Sequence, residues 1–277
     1  ALSPSQVQGL SSRSLNQLSS AQVMSIETED LTALSSGQLM ALSSSQVISL
    51  TPEQLSSLST TQALGLTSSA MAGLSLEQIK AFPLSTLVQR RALSTAQIAG
   101  LGAEVEDALR GGLSQLTSSQ LGAVTTLGMA ALSSAALSSL QSSQLPGLKP
   151  EQIAALGSEQ MPYLSPALLN ALSSNQLRSI ESGDIAALSP SQVQGLSGYV
   201  LRSLTDEQIL SLLDSSVSFV NPEAFSFLTT AQIGLFSNSI LENITSSQIE
   251  RMLDEQITAL KTGDQFFQVW TTELNQN

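Results

Sequence analysis

The sequence repeats every eight residues, and this period limits the possible folds more than any other feature of the chain. Residues 42–49 have the sequence LSSSQVIS, and residues 50–57 have the sequence LTPEQLSS. In such an octad, position 1 is apolar and usually Leu, position 2 is Ser or Thr, position 5 is Gln, position 6 is apolar and position 8 is usually small. A fixed period of this kind indicates an array of one structural unit whose copies pack on each other.

Positions 2 and 5 together form the sequence pattern of a capping box. In this motif the hydroxyl accepts the N–H of position 5, and the Gln side chain accepts the N–H of position 2. Examples are Ser3/Gln6, Ser19/Gln22, Ser35/Gln38, Ser43/Gln46, Thr51/Gln54, Thr229/Gln232 and Thr245/Gln248. Proline at position 3 and acidic residues at position 4, such as Pro52 and Glu53, also favour the first turn of a helix. We therefore predict that a helix begins in each octad.

The spacing of the apolar positions excludes one continuous helix. Positions 1 and 6 recur on average every four residues, so on a helix of about 3.6 residues per turn the apolar stripe would rotate by about 40° every four residues. Alternating strands also fit poorly, because a five-and-three spacing does not keep the apolar residues on one face. We therefore predict an all-α solenoid of very short capped helices, one in each octad. Small residues at position 8, such as Gly65, are expected to let neighbouring backbones approach closely.

The register of the octads divides the chain into four predicted segments. Octads fill residues 1–82 and resume over residues 116–260. Residues 83–115 are irregular and include Arg90, Arg91, Arg110 and the pair Gly111-Gly112. We interpret them as an insertion or bend within one solenoid, and a true domain boundary is the alternative.

The last predicted segment, residues 261–277, departs from the octad. Phe266, Phe267, Val269 and Trp270 occur together there. We predict that they form a C-terminal cap or tail over the last apolar face. At the other end, Leu2 and Val7 belong to a standard octad with nothing before them to cover it. Exposed apolar surface favours association, so the expected partner is another octad array, end to end.

Composition excludes most classes of chemistry. The chain has no His and no Cys, so it can form neither a Ser-His-Asp triad nor a thiolate or zinc site. It has no Gly-rich phosphate loop. Its net charge of −12 and its scattered basic residues argue against a nucleic-acid partner. We predict that the protein is not an enzyme and has no catalytic, cofactor or metal residues.

Three further patterns receive structural explanations. The acidic groups Glu27/Glu29/Asp30 and Glu104/Glu106/Asp107 contain oxygen ligands suited to Ca²⁺, but neither has EF-hand spacing and acids at helix starts need no ion. The uncharged residues 111–148 contain too many Ser, Thr and Gln residues for a membrane span. The glycosylation sequon Asn243-Ile244-Thr245 is expected to be incidental, because Thr245 is a predicted cap.

A ligand-binding face would enrich one octad position in charged or aromatic residues. The acidic residues of position 4 suit helix starts, and a faint case for such a face is position 7, where Lys80, Arg178 and Arg202 are basic.

The octads resemble a known bacterial repeat. Residues 93–98 (LSTAQI), residues 228–233 (LTTAQI) and the variant at residues 26–34 (IETEDLTAL) are similar to an octapeptide repeat of large secreted or surface proteins described as adhesin-like or haem-utilisation proteins. A looser similarity links the chain to the mesothelin and stereocilin superhelices of animals. The resemblance implies an extracellular or cell-surface location. It implies no haem ligand here, because the chain has no His.

These observations leave two functions open. The first is a non-enzymatic structural or adhesive repeat protein, an extended rod, spacer or filament subunit. The second is a binding module that holds a peptide, a glycan or an apolar ligand in grooves between repeats.

Overall fold

The computed structural model describes residues 4–84 and 86–261. Among these residues, all regular structure is α-helix or 3₁₀ helix, and none is β-strand. The predicted all-α solenoid of short tandem helices is therefore confirmed. Residues Leu2, Phe266, Phe267, Val269 and Trp270 lie outside the described residues.

The described residues form two compact units. The first runs to Leu132 and includes Pro146–Leu148, and the second contains Ser133–Leu145 and the described residues from Lys149 onward. The predicted boundaries at residues 82, 115 and 260 stay a prediction.

The helices of the first unit are α1 Pro4–Gln8, α2 Ser12–Asn16, α3 Ser20–Met24, α4 Thr28–Thr32, α5 Ser36–Met40, α6 Ser44–Ile48, α7 Pro52–Ser57, α8 Thr60–Ala63, α9 Ser68–Gly73, α10 Leu76–Ala81, α11 Leu87–Ala92, α12 Thr95–Gly100, α13 Val105–Ala108, α14 Ser118–Leu121 and α15 Thr126–Ala130. Those of the second are α16 Ser134–Ser139, α17 Pro150–Ala154, α18 Pro166–Ala171, α19 Ser174–Arg178, α20 Ser182–Ile185, α21 Pro190–Gly195, α22 Gly198–Ser203, α23 Asp206–Ser216, α24 Pro222–Phe225, α25 Thr230–Ile233, α26 Asn238–Glu242, α27 Ser246–Ile249 and α28 Asp254–Lys261. Segments of 3₁₀ helix are Gly102–Glu104, Leu113–Gln115, Ser142–Gly147, Met161–Tyr163 and Val217–Phe219.

The short helices that carry the predicted Ser/Thr and Gln pair start at its capping box. At α6, Oγ of Ser43 accepts the N–H of Gln46 at 3.3 Å, and Oε1 of Gln46 accepts the N–H of Ser43 at 2.8 Å. The cap residue is extended, with φ −67° and ψ 158°, so the chain changes direction there. The same box is present at the other predicted pairs within the described residues, whereas Ser3 lies outside them.

Helix α23 corrects the expectation of a separate helix in every octad. It has 11 residues and runs through the start of the octad at Leu212 without a break. Leu213 occupies the position where other octads have the capping hydroxyl. Without a side chain that stabilises an extended cap residue, the helix continues, because each added residue gains a backbone hydrogen bond.

Three octads form one turn of the solenoid. Helix α1 packs against α4, α2 against α5, α3 against α6 and α4 against α7, and in the second unit α18 packs against α21 and α19 against α22. Three octads of eight residues make a coil of 24 residues. Each octad is therefore one side of a coil, and residues 24 apart lie on the same side in neighbouring coils.

The interior is built from positions 1 and 6. Position 6 side chains such as Leu15, Leu39 and Leu55 are fully buried, and position 1 residues such as Leu50 and Leu58 are nearly so. Burying one such side chain contributes roughly 1.5–3 kcal/mol. A helix of five residues is unstable alone, so these contacts with neighbouring coils hold it in place.

The Gln of position 5 also joins neighbouring coils. Nε2 of Gln46 donates to the carbonyl oxygens of Leu15 at 2.9 Å and Leu18 at 2.7 Å, which lie 31 and 28 residues earlier. Leu18 precedes a helix cap, so its carbonyl has no partner inside a helix. Equivalent bonds are made by Gln38, Gln54, Gln62, Gln78, Gln192, Gln208, Gln232, Gln248 and Gln256. We call this series the glutamine ladder.

The glutamine ladder gives the buried glutamine side chains hydrogen-bond partners. Among the described residues, every buried side-chain nitrogen or oxygen has a hydrogen bond. This matters because an unpaired buried polar group costs about 1–3 kcal/mol. The position 5 side chain is therefore both a helix cap and a link between coils.

Close approach of the coils requires glycine at Gly65, as the small residue at position 8 predicts. A Cβ atom at this position would lie 2.3 Å from the carbonyl oxygen of Ser36 in the preceding coil. The obstacle is backbone, which cannot move aside. Gly65 therefore sets the distance between two coils at this corner.

The irregular segment keeps the stacking register of the first unit. Nε2 of Gln97 donates to Met71 and Leu74, which lie 26 and 23 residues earlier, five fewer than in the regular ladder. The deficit arises because one side of the coil is reduced from eight residues to the three residues Phe82–Leu84. The ladder therefore continues past the shortened side.

Arg90 donates hydrogen bonds to three acceptors next to the shortened side. It occupies position 6, normally apolar, and is only 5% exposed. Nη2 donates to the carbonyl of Leu84 at 2.8 Å, Nε to that of Leu109 at 2.9 Å, and Nη1 to Oε1 of Gln115 at 2.7 Å. Burial lowers the pKa of the Arg90 guanidinium. A guanidinium is effectively always protonated in proteins, so the side chain acts here as a donor of several N–H groups.

Replacing Gln208 by Glu is expected to separate the two roles of the ladder. Glu keeps the acceptor for the cap but places a carboxylate against the carbonyls of Leu177 and Ile180. Gln208 is only 2% exposed, so we expect a loss of about 2–4 kcal/mol in the free energy of unfolding, measured by urea denaturation.

The matched control is Gln22→Glu. The amide of Gln22 accepts the cap N–H of Ser19 but forms no bond to another coil within the described residues, and its side chain is exposed. We expect this change to alter stability by less than about 0.5 kcal/mol. Equal losses in the two variants would contradict the linking role of Gln208.

Replacing Arg90 by Met tests the buried guanidinium. The change removes the donors to the carbonyl of Leu84 and to Oε1 of Gln115, at about 1–3 kcal/mol each. The carbonyl of Leu109 keeps the N–H of Gly112, so we expect a loss of at least about 2 kcal/mol by urea denaturation. Arg91→Met is the control, because the neighbouring Arg91 is exposed and donates only to the carbonyl of Gln115. Similar stability of the two variants would show that Arg90 is dispensable.

Candidate functional site

The basic residues of position 7 are binding candidates from the sequence, and the structure gives Lys80 acidic partners of its own. Lys80 lies on α10 of the first unit, where Nζ contacts Glu104 at 2.9 Å and Glu77 at 3.6 Å. The hydrogen bond with Glu104 is the main cause that raises the pKa of Lys80. Its charge is compensated within the protein.

Arg178 and Arg202 lie on one side of consecutive coils in the second unit. They are 24 residues apart, and their helices α19 and α22 pack against each other. Both side chains are exposed. Two aromatic residues share this side: Tyr199 on α22, and Phe227 after α24, which packs on α22. We call the surface formed by Ser174, Arg178, Tyr199, Arg202 and Phe227 the arginine face.

Hydrogen bonds between the coils orient the first part of the arginine face. Nε of Arg178 donates to the carbonyl of Ser203 at 3.0 Å. The Ser174 hydroxyl lies 3.0 Å from the Tyr199 hydroxyl and 3.2 Å from Oγ of Ser203. The guanidinium of Arg178 is therefore held at one edge, and the Tyr199 ring is tied at its hydroxyl.

The ring of Phe227 packs against the backbone of Gly198. A Cβ atom at Gly198 would lie 2.3 Å from Cγ of Phe227, so the ring occupies the space that any other side chain would fill. Phe227 still has 52% of its surface exposed, and Tyr199 has 49%. The Phe227 ring rests on Gly198 of the preceding coil, and both rings remain open to solvent.

A shallow groove continues from the arginine face. Its volume is about 490 Å³, and Arg202, Phe227, Thr230, Leu253 and Glu255 contribute to its lining. Among the described residues Arg202 forms no ion pair, although Glu255 lines the same groove.

The acidic candidates form no recognisable metal centre. Within residues 4–84 and 86–261, no three His, Cys, Asp or Glu side chains lie together as a metal ion would require. Glu104 contacts Lys80 instead, and Asp30 is buried at position 5 of its octad.

The glycosylation sequon at Asn243 and the uncharged stretch 111–148 are the two remaining candidates from the sequence. Oγ1 of Thr245 accepts the N–H of Gln248 at 3.3 Å, so its predicted capping role is confirmed. Asn243 is exposed and donates to the carbonyl of Ser239. In the described residues, including those of the uncharged stretch 111–148, no helix has the length and apolar character needed to cross a bilayer.

Comparison with known proteins supports the repeat architecture. The family described as ALTTAQ repeat matches residues 23–60, which include the glutamines of α5, α6 and α7. This segment is similar to that repeat. A comparison with curated proteins gave no match.

Sequence reasoning missed Tyr199 and Phe227. They occupy different octad positions, 4 and 8, so enrichment at one position does not reveal them. Aligning every third octad would have placed Tyr199 between Arg178 and Arg202. That alignment requires the number of octads in a coil, which only the structure supplied.

The variant octad at Ile180 carries Asp184 at position 5 instead of Gln. Burial is the main cause that raises the pKa of Asp184, the charge of Glu181 adds to it, and a hydrogen bond from the N–H of Ser158 opposes it. The raised pKa means that the folded state binds the proton more tightly than the unfolded state. This contribution to stability is present at low pH and is lost as pH rises through the pKa of the folded state.

Asp184→Asn is therefore expected to increase stability at neutral pH. The gain should be below about 1 kcal/mol because the side chain is partly exposed, and it should vanish at pH values below the ordinary pKa of Asp. Thermal unfolding at pH 3 and pH 7 measures the difference. Asp206→Asn, at the first turn of α23, should instead destabilise slightly, because it removes a charge that favours the helix dipole. A gain for Asp184→Asn that is equal at both pH values would contradict the assignment.

Proposed function

We propose that the chain is a non-enzymatic structural repeat protein that acts as an extended rod, spacer or filament subunit outside the cell or at its surface. The glutamine ladder is the observation that carries this proposal. Most coils of each unit receive hydrogen bonds from the next coil through position 5, as in Gln46 and Gln208. Coils that stack along one axis form an extended structure, as a rod, spacer or filament subunit requires.

The polarity of a coil supports association with another array. One side of a coil offers glutamine N–H groups, and the opposite side offers the carbonyl oxygens of positions 1, 6 and 7. These two sides are complementary, so arrays join head to tail rather than head to head. The partner is another octad array, in the same polypeptide or in a second copy of this chain.

An adhesive role and an external location rest on the resemblance to repeats of secreted and surface proteins. The match of residues 23–60 to the ALTTAQ repeat supports the repeat itself. Solenoids of this kind are spacers that present a binding element, and the arginine face supports a second function as a binding module.

End-to-end association predicts a specific effect of Gln22→Glu. The exposed amide of Gln22 has the position of a ladder donor, so a carboxylate there would repel the carbonyl oxygens of an incoming array. We expect the variant to fold normally and to associate about tenfold more weakly than the original chain. Sedimentation velocity over a range of concentrations measures the change.

Gln194→Glu is the control for the added negative charge. Gln194 is exposed and does not occupy position 5. Association that weakens equally in both variants would point to general repulsion and not to the ladder. A chain that stays monomeric at all concentrations would contradict self-association.

A further inference from the structure

We propose that the arginine face binds an acidic polysaccharide, with carboxylates on Arg178 and Arg202 and sugar rings against Tyr199 and Phe227. This inference deepens the second function, the binding module, and depends on it. It does not depend on end-to-end association.

The two guanidinium groups favour a ligand with repeated carboxylates. Arg202 has no acidic partner within the described residues, and Arg178 uses Nε on the carbonyl of Ser203. The terminal nitrogens that remain can bind a carboxylate with two parallel hydrogen bonds. Packed helices lie about 8–10 Å apart, so the two arginines recur at about this distance along the stack. A linear polymer with a similar carboxylate spacing would contact both.

The aromatic rings favour a sugar as the group between the carboxylates. Only 4% of the residues are aromatic, and the core is largely aliphatic, so Tyr199 and Phe227 are not needed as core fillers. Both rings are held in place: the Tyr199 hydroxyl is hydrogen-bonded to Ser174, and Phe227 packs against Gly198. Fixed rings lose little conformational entropy on binding. Their flat apolar faces match the apolar face of a pyranose ring.

The surroundings favour a sugar over a peptide. Thr230 is exposed in the groove, and the partly exposed Ser174 lies beside Tyr199, so both offer hydroxyl groups to a ligand rich in hydroxyls. Peptides are commonly held by addition to a strand edge or as a helix in a deep apolar groove. The described residues contain no strand, and the groove beside Phe227 is shallow and partly polar.

Two features oppose an acidic ligand and limit its affinity. Glu255 lines the groove, and the whole chain has a net charge of −12. Recognition must therefore be local to the two arginines. Because these are exposed charges, added salt is expected to weaken the complex.

The test uses the full chain and three probes: alginate fragments, which are linear polymers of uronic acids, neutral dextran, and poly-glutamate. Isothermal titration calorimetry measures each affinity. We expect alginate to bind, and dextran and poly-glutamate to bind at least about tenfold more weakly, because each lacks either the carboxylate or the ring. Equal binding of dextran, equal binding of poly-glutamate, or no binding of alginate would each overturn the proposal.

The variants locate the site. Arg202→Gln and Phe227→Ala should each weaken alginate binding by about tenfold, and Arg202→Lys should recover only part of the loss because Lys lacks the planar fork. Arg13→Gln is the control, since it removes an equally exposed positive charge on the first unit. Circular dichroism verifies that each variant is folded. Losses that are equal for Arg13→Gln and Arg202→Gln would overturn the assignment to this face.

The same variants separate this inference from the proposed structural function. Arg202→Gln should leave sedimentation unchanged, because Arg202 is not part of the glutamine ladder. Gln22→Glu should leave alginate binding unchanged, because Gln22 is not one of the residues of the arginine face. A protein that associates but ignores alginate would keep the structural function and lose only the polysaccharide inference.

Discussion

The structure depends on one side-chain amide that forms bonds in two directions. The oxygen of the position 5 Gln accepts the first N–H of its own helix, and the nitrogen donates to carbonyls of the preceding coil, as at Gln256 with Leu253 and Leu228. A carboxylate only accepts and an ammonium only donates, so neither can form both bonds. Five-residue helices leave most of their backbone N–H and C=O groups without partners inside the helix. Because the Gln amide pairs an N–H at the start of its own helix and carbonyl oxygens of the preceding coil, helices too short to be stable alone in water can form here.

The hydroxyl and the Gln of the capping box are separable, and the chain tolerates the loss of either. At Leu253 the capping hydroxyl is absent, but Gln256 still accepts the N–H of Leu253 and is buried. At Thr67 the Gln is absent, and the hydroxyl alone accepts the N–H of Ala70. Apolar packing supplies the remaining stability in both cases. The shortened side at Phe82–Leu84 is a larger departure, and there the buried guanidinium of Arg90 supplies the donors.

Residues that give one surface a distinct character, such as those of the arginine face, occur only at octad positions that neither the core nor the glutamine ladder uses. Positions 1 and 6 are interior, and positions 2 and 5 are committed to caps and links. Positions 3, 4 and 7 lie mostly at the surface, and position 8 borders the neighbouring coil. Tyr199, Arg202 and Phe227 occupy positions 4, 7 and 8. Because every third octad shares a side, a surface can be assembled from residues that are far apart in sequence while the internal repeat stays unchanged.

The sequence alone determined that short capped helices form, where they start, which octad positions are buried, and that the small residue at Gly65 allows close approach of two backbones. These features depend on neighbours within one octad, and local hydrogen bonding and periodicity therefore specify them. Only the tertiary structure decided that three octads close a coil and that the Gln nitrogen reaches the preceding coil. It also decided that Arg90 is buried and that Arg178, Tyr199 and Arg202 share a face. The physical reason is that the angle between successive helices sets the coil, and it results from packing among residues about 24 apart, which no single octad encodes.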